Sequence, residues 1–169
     1  MDTTSLKEQV AAGISYGPDA ESCLKGFGKW EHRDACGALL DSGEFTNVMT
    51  SAGMAVRSSL LYGTGTAFTY MAVGTSATTP VAGDTALGGE ISTNGLARAA
   101  ATTSQVTTTS TNDTSQWAKT WTATGASTVQ EVGIFNAAAA GTLMCHALIG
   151  PITTSNGSQL TVTYKVAHT

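Results

Sequence analysis

The chain has 169 residues, a formal net charge of −4 and only 12% charged residues, which fits one domain with a usable core and an attached arm. Its eight Lys and Arg residues are scattered rather than clustered, which argues against a binder of nucleic-acid backbones. No run approaches the roughly 18 apolar residues of a membrane span, so neither nucleic acid nor membrane is an expected partner.

Thr is the commonest residue, followed by Ala, Gly and Ser. Thr and Val suit pleated strands and Gly suits turns. This is the composition of an all-β protein with a neutral, hydroxyl-rich surface. The three cysteines, Cys23, Cys36 and Cys145, are too few and odd in number for a disulfide framework. The first residues lack the basic start and apolar stretch of a secretory signal. Synthesis in a reducing cytoplasm is therefore expected.

In chain order, residues 1–26 read as an N-terminal arm. Ser5 and Glu8 make a capping-box pattern, which opens a helix of two or three turns. Gly13, then Gly17-Pro18-Asp19, end it. One reading of this segment is a frayed terminus. The other is an arm that orders against a neighbouring subunit, through Leu6, Val10, Ile14 and Tyr16.

Residues 27–169 read as the folded domain. Gly26–Asp34 is a first strand and Ala38–Asp41 a second, with Gly37 supplying the turn of a hairpin. Phe45–Met49 extends the second strand. Residues 50–62 are the one helix, capped by Thr50 or Ser51 and ended at Gly63. Phe68–Val73 is a strand, Gly74–Gly89 a long loop, and Ile91–Thr111 holds one or two Thr-rich strands.

Four further strands follow: Trp117–Thr124, Val129–Phe135, Leu143–Ile149 and Leu160–Ala167. In Leu143–Ile149, residues Leu143, Cys145, Ala147 and Ile149 alternate with Met144 and Leu148, so both faces are apolar. That places the strand in the middle of a sheet stack. Val132, Ile134, Leu143, Cys145, Ile149, Val162 and Tyr164 are the predicted core. About eight or nine short strands, one helix insert and no βαβ alternation predict an all-β, antiparallel, jelly-roll-like sandwich.

Chemistry-bearing patterns are sparse. Cys23, His32 and Cys36 are close in sequence but lack the tight Cys pair of a zinc site, and a fourth ligand would have to be Cys145 or His146. Cys145 and His146 are strand neighbours and point to opposite faces, so they cannot form a nucleophile pair. There is no Gly-x-Ser-x-Gly elbow and no phosphate loop. Asp84 reads as a turn acceptor, and Glu131 as a partner of Arg98 or of backbone donors in a loop. Trp117 and Trp121, four apart on a strand, share a face. They are either core or a glycan-stacking platform. No catalytic residue, cofactor or metal is expected, and no enzyme.

Several segments together carry a resemblance. They are Tyr70–Ser76, Pro80, Asp84-Thr-Ala-Leu-Gly-Gly-Glu90, Arg98, Glu131–Asn136, Gly141–Leu143, Gly150–Ile152 and Leu160–Tyr164, with Asn47 and Ser51–Met54 upstream. In order and spacing they resemble a segment of tailed-bacteriophage virion proteins, tail-fibre and minor structural proteins among them. The resemblance spans roughly residues 27–166. At Cys145-His146 this chain departs from it, since a basic residue often stands there.

The resemblance implies a non-enzymatic, β-rich virion component made in the host cytoplasm. A short chain without a fibre shaft suits a capsid decoration or cement protein. Such a protein would associate with itself as a trimer or dimer and bind other virion proteins, such as the major capsid protein, through its arm. The alternatives are a tail-associated fibre, adaptor or baseplate piece, and a carbohydrate-binding module built on Trp117 and Trp121.

Overall fold

A computed structural model describes residues 25–168. The arm side chains Leu6, Val10, Ile14 and Tyr16, and Cys23, lie outside the described residues. Lys25 and Gly26, assigned to the arm from sequence, open the first strand.

The strands are β1 (Lys25–Arg33), β2 (Leu39–Thr46), β3 (Val48–Met49), β4 (Tyr70–Gly74), β5 (Ala99–Ala100), β6 (Thr102–Val106), β7 (Thr114–Thr122), β8 (Ser127–Phe135), β9 (Leu143–Thr154) and β10 (Gln159–Ala167). The single helix described, α1, is Ser51–Leu60. Two five-stranded sheets form, in the orders β2-β1-β10-β7-β6 and β3-β9-β8-β4-β5. Every strand pairing is antiparallel. The fold is an all-β sandwich, as the alternation predicts.

Local chemistry explains the punctuation. Gly37, at φ 87°, turns the β1–β2 hairpin. Asp34 closes that turn by accepting the N–H groups of Cys36 and Ala38. Thr50 is the N-cap of α1: its Oγ1 accepts from the Gly53 N–H at 2.9 Å and donates to the Leu143 carbonyl. The cap thus also ties the helix to β9. A Cβ on Gly53 would lie 2.5 Å from the Met144 backbone, so only glycine allows this close approach.

The core lies between the sheets. Trp30, Phe45, Trp117, Trp121, Leu160, Val162 and Tyr164 face it from the first sheet. Met71, Val73, Val132, Ile134, Cys145, Ala147 and Ile149 face it from the second. All seven predicted core residues are buried.

One face assignment differs. The register slips where Cys145 stands opposite Ile134 but Leu143 opposite Phe135, so Met144 is an extra residue in β9. Such a bulge reverses which way the following side chains point. Met144 joins the inter-sheet core, and Leu143 crosses to the far side of the sheet with Ala72, Leu87 and Phe135. The strand is apolar on both faces, as expected, but Leu143 is not on the face of Cys145.

Candidate functional site

The residues that stood out in the sequence converge on the outer face of the second sheet. Along β4, β8 and β9 the alternation that sends Val73, Val132 and Ala147 inward sends Gly74, Glu131 and His146 outward. The segment between β4 and the Gly74–Glu90 bridge folds back over this face as a strap.

Glu131 holds it. Its carboxylate is completely buried. Oε1 accepts the Gly89 N–H at 2.7 Å and the Ser76 N–H at 3.2 Å, and Oε2 accepts the Gly88 N–H at 2.9 Å. A Cβ on Gly74 would sit 2.2 Å from Oε1, so the bare backbone of Gly74 is what admits the carboxylate. Burying a charge is costly unless it is fully hydrogen-bonded, and here three backbone donors do that.

His146 supplies a fourth contact. Its Nε2 lies 2.9 Å from Glu131 Oε2 and its Nδ1 2.8 Å from Asp84 Oδ2. Both contacts are hydrogen bonds only when the three groups together hold two protons between them, since carboxylate oxygens otherwise only accept. Asp84 also accepts the Val81 N–H at 2.9 Å, which shapes the turn of the strap. Burial works to raise the Asp84 carboxyl, but the Val81 N–H and His146 outweigh it and hold the group below the usual carboxylate range.

Arg98 locks the strap's far end. It forks onto Glu90, Nε to Oε1 at 2.9 Å and Nη2 to Oε2. Its Nη1 donates to the carbonyls of Ala137 and Ala140 in the β8–β9 loop. The guanidinium lies 3.5 Å above the centre of the Phe135 ring.

Of the sequence readings for these residues, Asp84 is the turn acceptor expected, and Glu131 binds the backbone donors rather than Arg98, which takes Glu90. The His146 link was not visible in sequence. Its one trace was a histidine on an otherwise apolar strand face, with Asp84 62 residues away.

The other singled-out residues are placed differently. Trp117 and Trp121 are 7% and 3% exposed, and their indole N–H groups donate to the carbonyls of Phe68 and Ala97. This corrects the platform reading: both rings are buried in the inter-sheet core, so the pair presents no shared open face for a sugar. Among the described residues, no group of three or more His, Cys, Asp and Glu is arranged to hold a metal ion. Cys36 is exposed on the hairpin, while His32 is buried in the strand before it. The Cys145 thiol is fully enclosed and burial pushes it up to about 12, so it is protonated and inaccessible.

Among the described residues one Ser–His contact occurs, Ser115 Oγ to His168 Nε2 at 3.0 Å, with Arg57 Nη2 3.0 Å from His168 Nδ1. Arg only donates. His168 Nδ1 must therefore accept, and a neutral ring then carries its proton on Nε2, the nitrogen facing Ser115. That is the wrong tautomer for drawing a proton from the serine.

Comparison with protein-family models, with curated proteins and with solved structures finds no match.

Proposed function

We propose that this protein is a non-enzymatic virion component of a tailed bacteriophage, a decoration or cement protein that binds the outer shell of the capsid and stabilises it. The observation that carries this reading is the use to which the motif residues are put. The segments that resemble phage virion proteins supply Glu131, Asp84, Glu90, Arg98 and Asn136. Each spends its polar atoms holding the strap and the β8–β9 loop on the sheet. Side chains consumed in bracing suit a rigid structural module, because a reaction centre needs acids, bases or nucleophiles with reach to a substrate.

A surface short of charge resists self-association weakly, and edge strands invite pairing with a sister chain. The protein is therefore proposed to act as a trimer or dimer, anchored to another virion protein such as the major capsid protein through residues 1–26.

The test is to add the protein to particles that lack it and locate the added density. Density over the head, with binding lost in a chain without residues 1–24, is the expected result. Density on the tail would overturn the decoration reading. Undiminished binding by the shortened chain would overturn the arm as anchor.

A further inference from the structure

Between the sheets lies a cleft of about 460 Å³. It opens where the two-residue β5 leaves edge strand β6 without a facing partner. Thr103 and Gln105 show this: they stand opposite Trp117 and Ser115, on the inter-sheet side, yet are exposed. The floor is apolar, formed by Phe68, Trp117, Met144 and Val166, with Leu60 of α1 at one wall. Arg57 and His168 line it, and among the described residues no Asp or Glu does.

Beside the cleft, Leu61 and Tyr62 are 86% and 81% exposed. The main chain that carries them is held in place, because the N–H groups of Leu61, Tyr62 and Gly63 all donate to carbonyls of the last helical turn. A cleft and a neighbouring patch of this kind mark an interaction site.

The arm begins next to it. Lys25 stands opposite Ala167, Ala167 opposite Thr114, and Thr114 opposite Val106. The start of β1 therefore lies in one row with the residues that border Ser115, Val166 and Gln105 of the cleft. With strands about 4.8 Å apart, Lys25 is roughly 10 Å from Thr114. Residues 17–24 can span about 26 Å when extended. Upstream of them, residues 5–16 carry Leu6, Val10, Ile14 and Tyr16, with Lys7 and Glu8 as their two charged residues. Four apolar side chains and the Glu8 carboxylate match an apolar floor with Arg57 at its rim.

We propose that this cleft is the docking site for residues 5–16 of the chain's own arm, which cover Phe68, Trp117 and Met144 and bring their carboxylate to Arg57. The proposal rests on reading residues 1–26 as an arm and refines it: the free protein stows its anchor, and the shell competes for it. The tether favours the chain's own cleft over that of another copy, because a short linker gives an effective concentration on the order of millimolar.

The experiment uses the full chain in solution, away from particles. Cys23 and Cys36 are changed to Ser and Ala11 to Cys, which carries a nitroxide; the enclosed Cys145 stays unlabelled. In ¹⁵N spectra the amides of Leu60–Tyr62 and Thr103–Gln105 should lose intensity, and those of Gly37 and Ala38 at the opposite end of the sandwich should not. Leu6→Asp with Val10→Asp, changes that leave the sandwich untouched, should restore the lost signals. Labelled chain without ¹⁵N, mixed with unlabelled ¹⁵N chain, should cause no loss.

An absence of selective loss overturns the proposal, and loss in the mixed sample overturns it in favour of a second copy's arm. Particle binding plays no part in this readout. A failed cleft experiment with intact arm-dependent particle binding would sink this inference alone, and the converse would sink the function alone.

Discussion

Two carboxylates in this fold each gather three backbone N–H groups. Glu131 takes those of Ser76, Gly88 and Gly89, which lie 55, 43 and 42 residues away in sequence. Asp113 takes those of Thr108, Thr109 and Ser110, three to five residues away. Glu131 is buried and shares a proton-bearing contact with His146, whereas the Asp113 side chain works at an exposed turn. Identical donor sets therefore do different work. The buried one holds two distant parts of the chain together in a medium where an unmet charge is expensive. The exposed one competes with water for a turn that sequence proximity already favours.

The largest effect should come from Glu131→Gln. An amide offers one accepting oxygen, and its NH₂ would point at backbone donors and leave them unpaired. Removing one member of a buried ionic network costs about 3–5 kcal/mol. The melting temperature should fall accordingly, and protease should cut first within residues 75–90. A fall no greater than that of a surface Thr→Ala change would mean that the strap is not held by Glu131.

Leu143→Ala should follow, at about 2–5 kcal/mol. The bulge at Met144 gives this change a signature. The cavity opens beside Leu87 under the strap and not in the inter-sheet core, so hydrogen exchange should quicken around Leu87 while β10 keeps its protection. Faster exchange in β10 instead would return Leu143 to the inter-sheet face.

Asp84→Asn addresses the strap's outer tether and should cost about 1.5–3 kcal/mol, the range for a hydrogen bond to a charged group. It also carries a pH signature. Because Asp84 is held below the usual carboxylate range in the folded state, its contribution is complete above the unfolded value of about 4. That contribution disappears as pH falls through the folded value. The Asn variant should therefore lose stability less steeply than the native chain below pH about 4. Parallel acid limbs for the two proteins would remove Asp84 from the tether.

The same contrast explains what was legible in the sequence. Local chemistry could be read directly: the Gly37 turn, the Thr50 cap and the alternation of β8 and β10 each need only a few adjacent residues. The role of Asp84 as a turn acceptor belongs to that class. The partners of Glu131 do not, because they are backbone groups that any sequence carries and only the fold brings near. The flip of Leu143 was hidden because a bulge is set by the partner strand. Alternation put Trp117 and Trp121 on one face, but it cannot say whether that face meets water or the other sheet.

The smallest effect, and the sharpest test of the contrast, is Asp113→Asn. The Ser110 N–H is the chief cause that holds Asp113 well below the usual carboxylate range. Burial opposes it, and the N–H groups of Thr108 and Thr109 and the hydroxyl of Thr114 add to it. Any stability it contributes is present at neutral pH and is lost as pH falls through the folded value. Asn keeps one accepting oxygen, so one of the two pairs of contacts that Oδ1 and Oδ2 now make is given up. The main chain stays anchored, since the His168 N–H donates to the Asp113 carbonyl and not to its side chain. Exchange should therefore quicken at Thr108, Thr109 and Ser110 with little change elsewhere. The shift in melting temperature should be smaller than for any variant above, and it should shrink with added salt, as surface electrostatics do. A loss comparable to that of Glu131→Gln would show that burial and long-range reach are not what separate the two carboxylates.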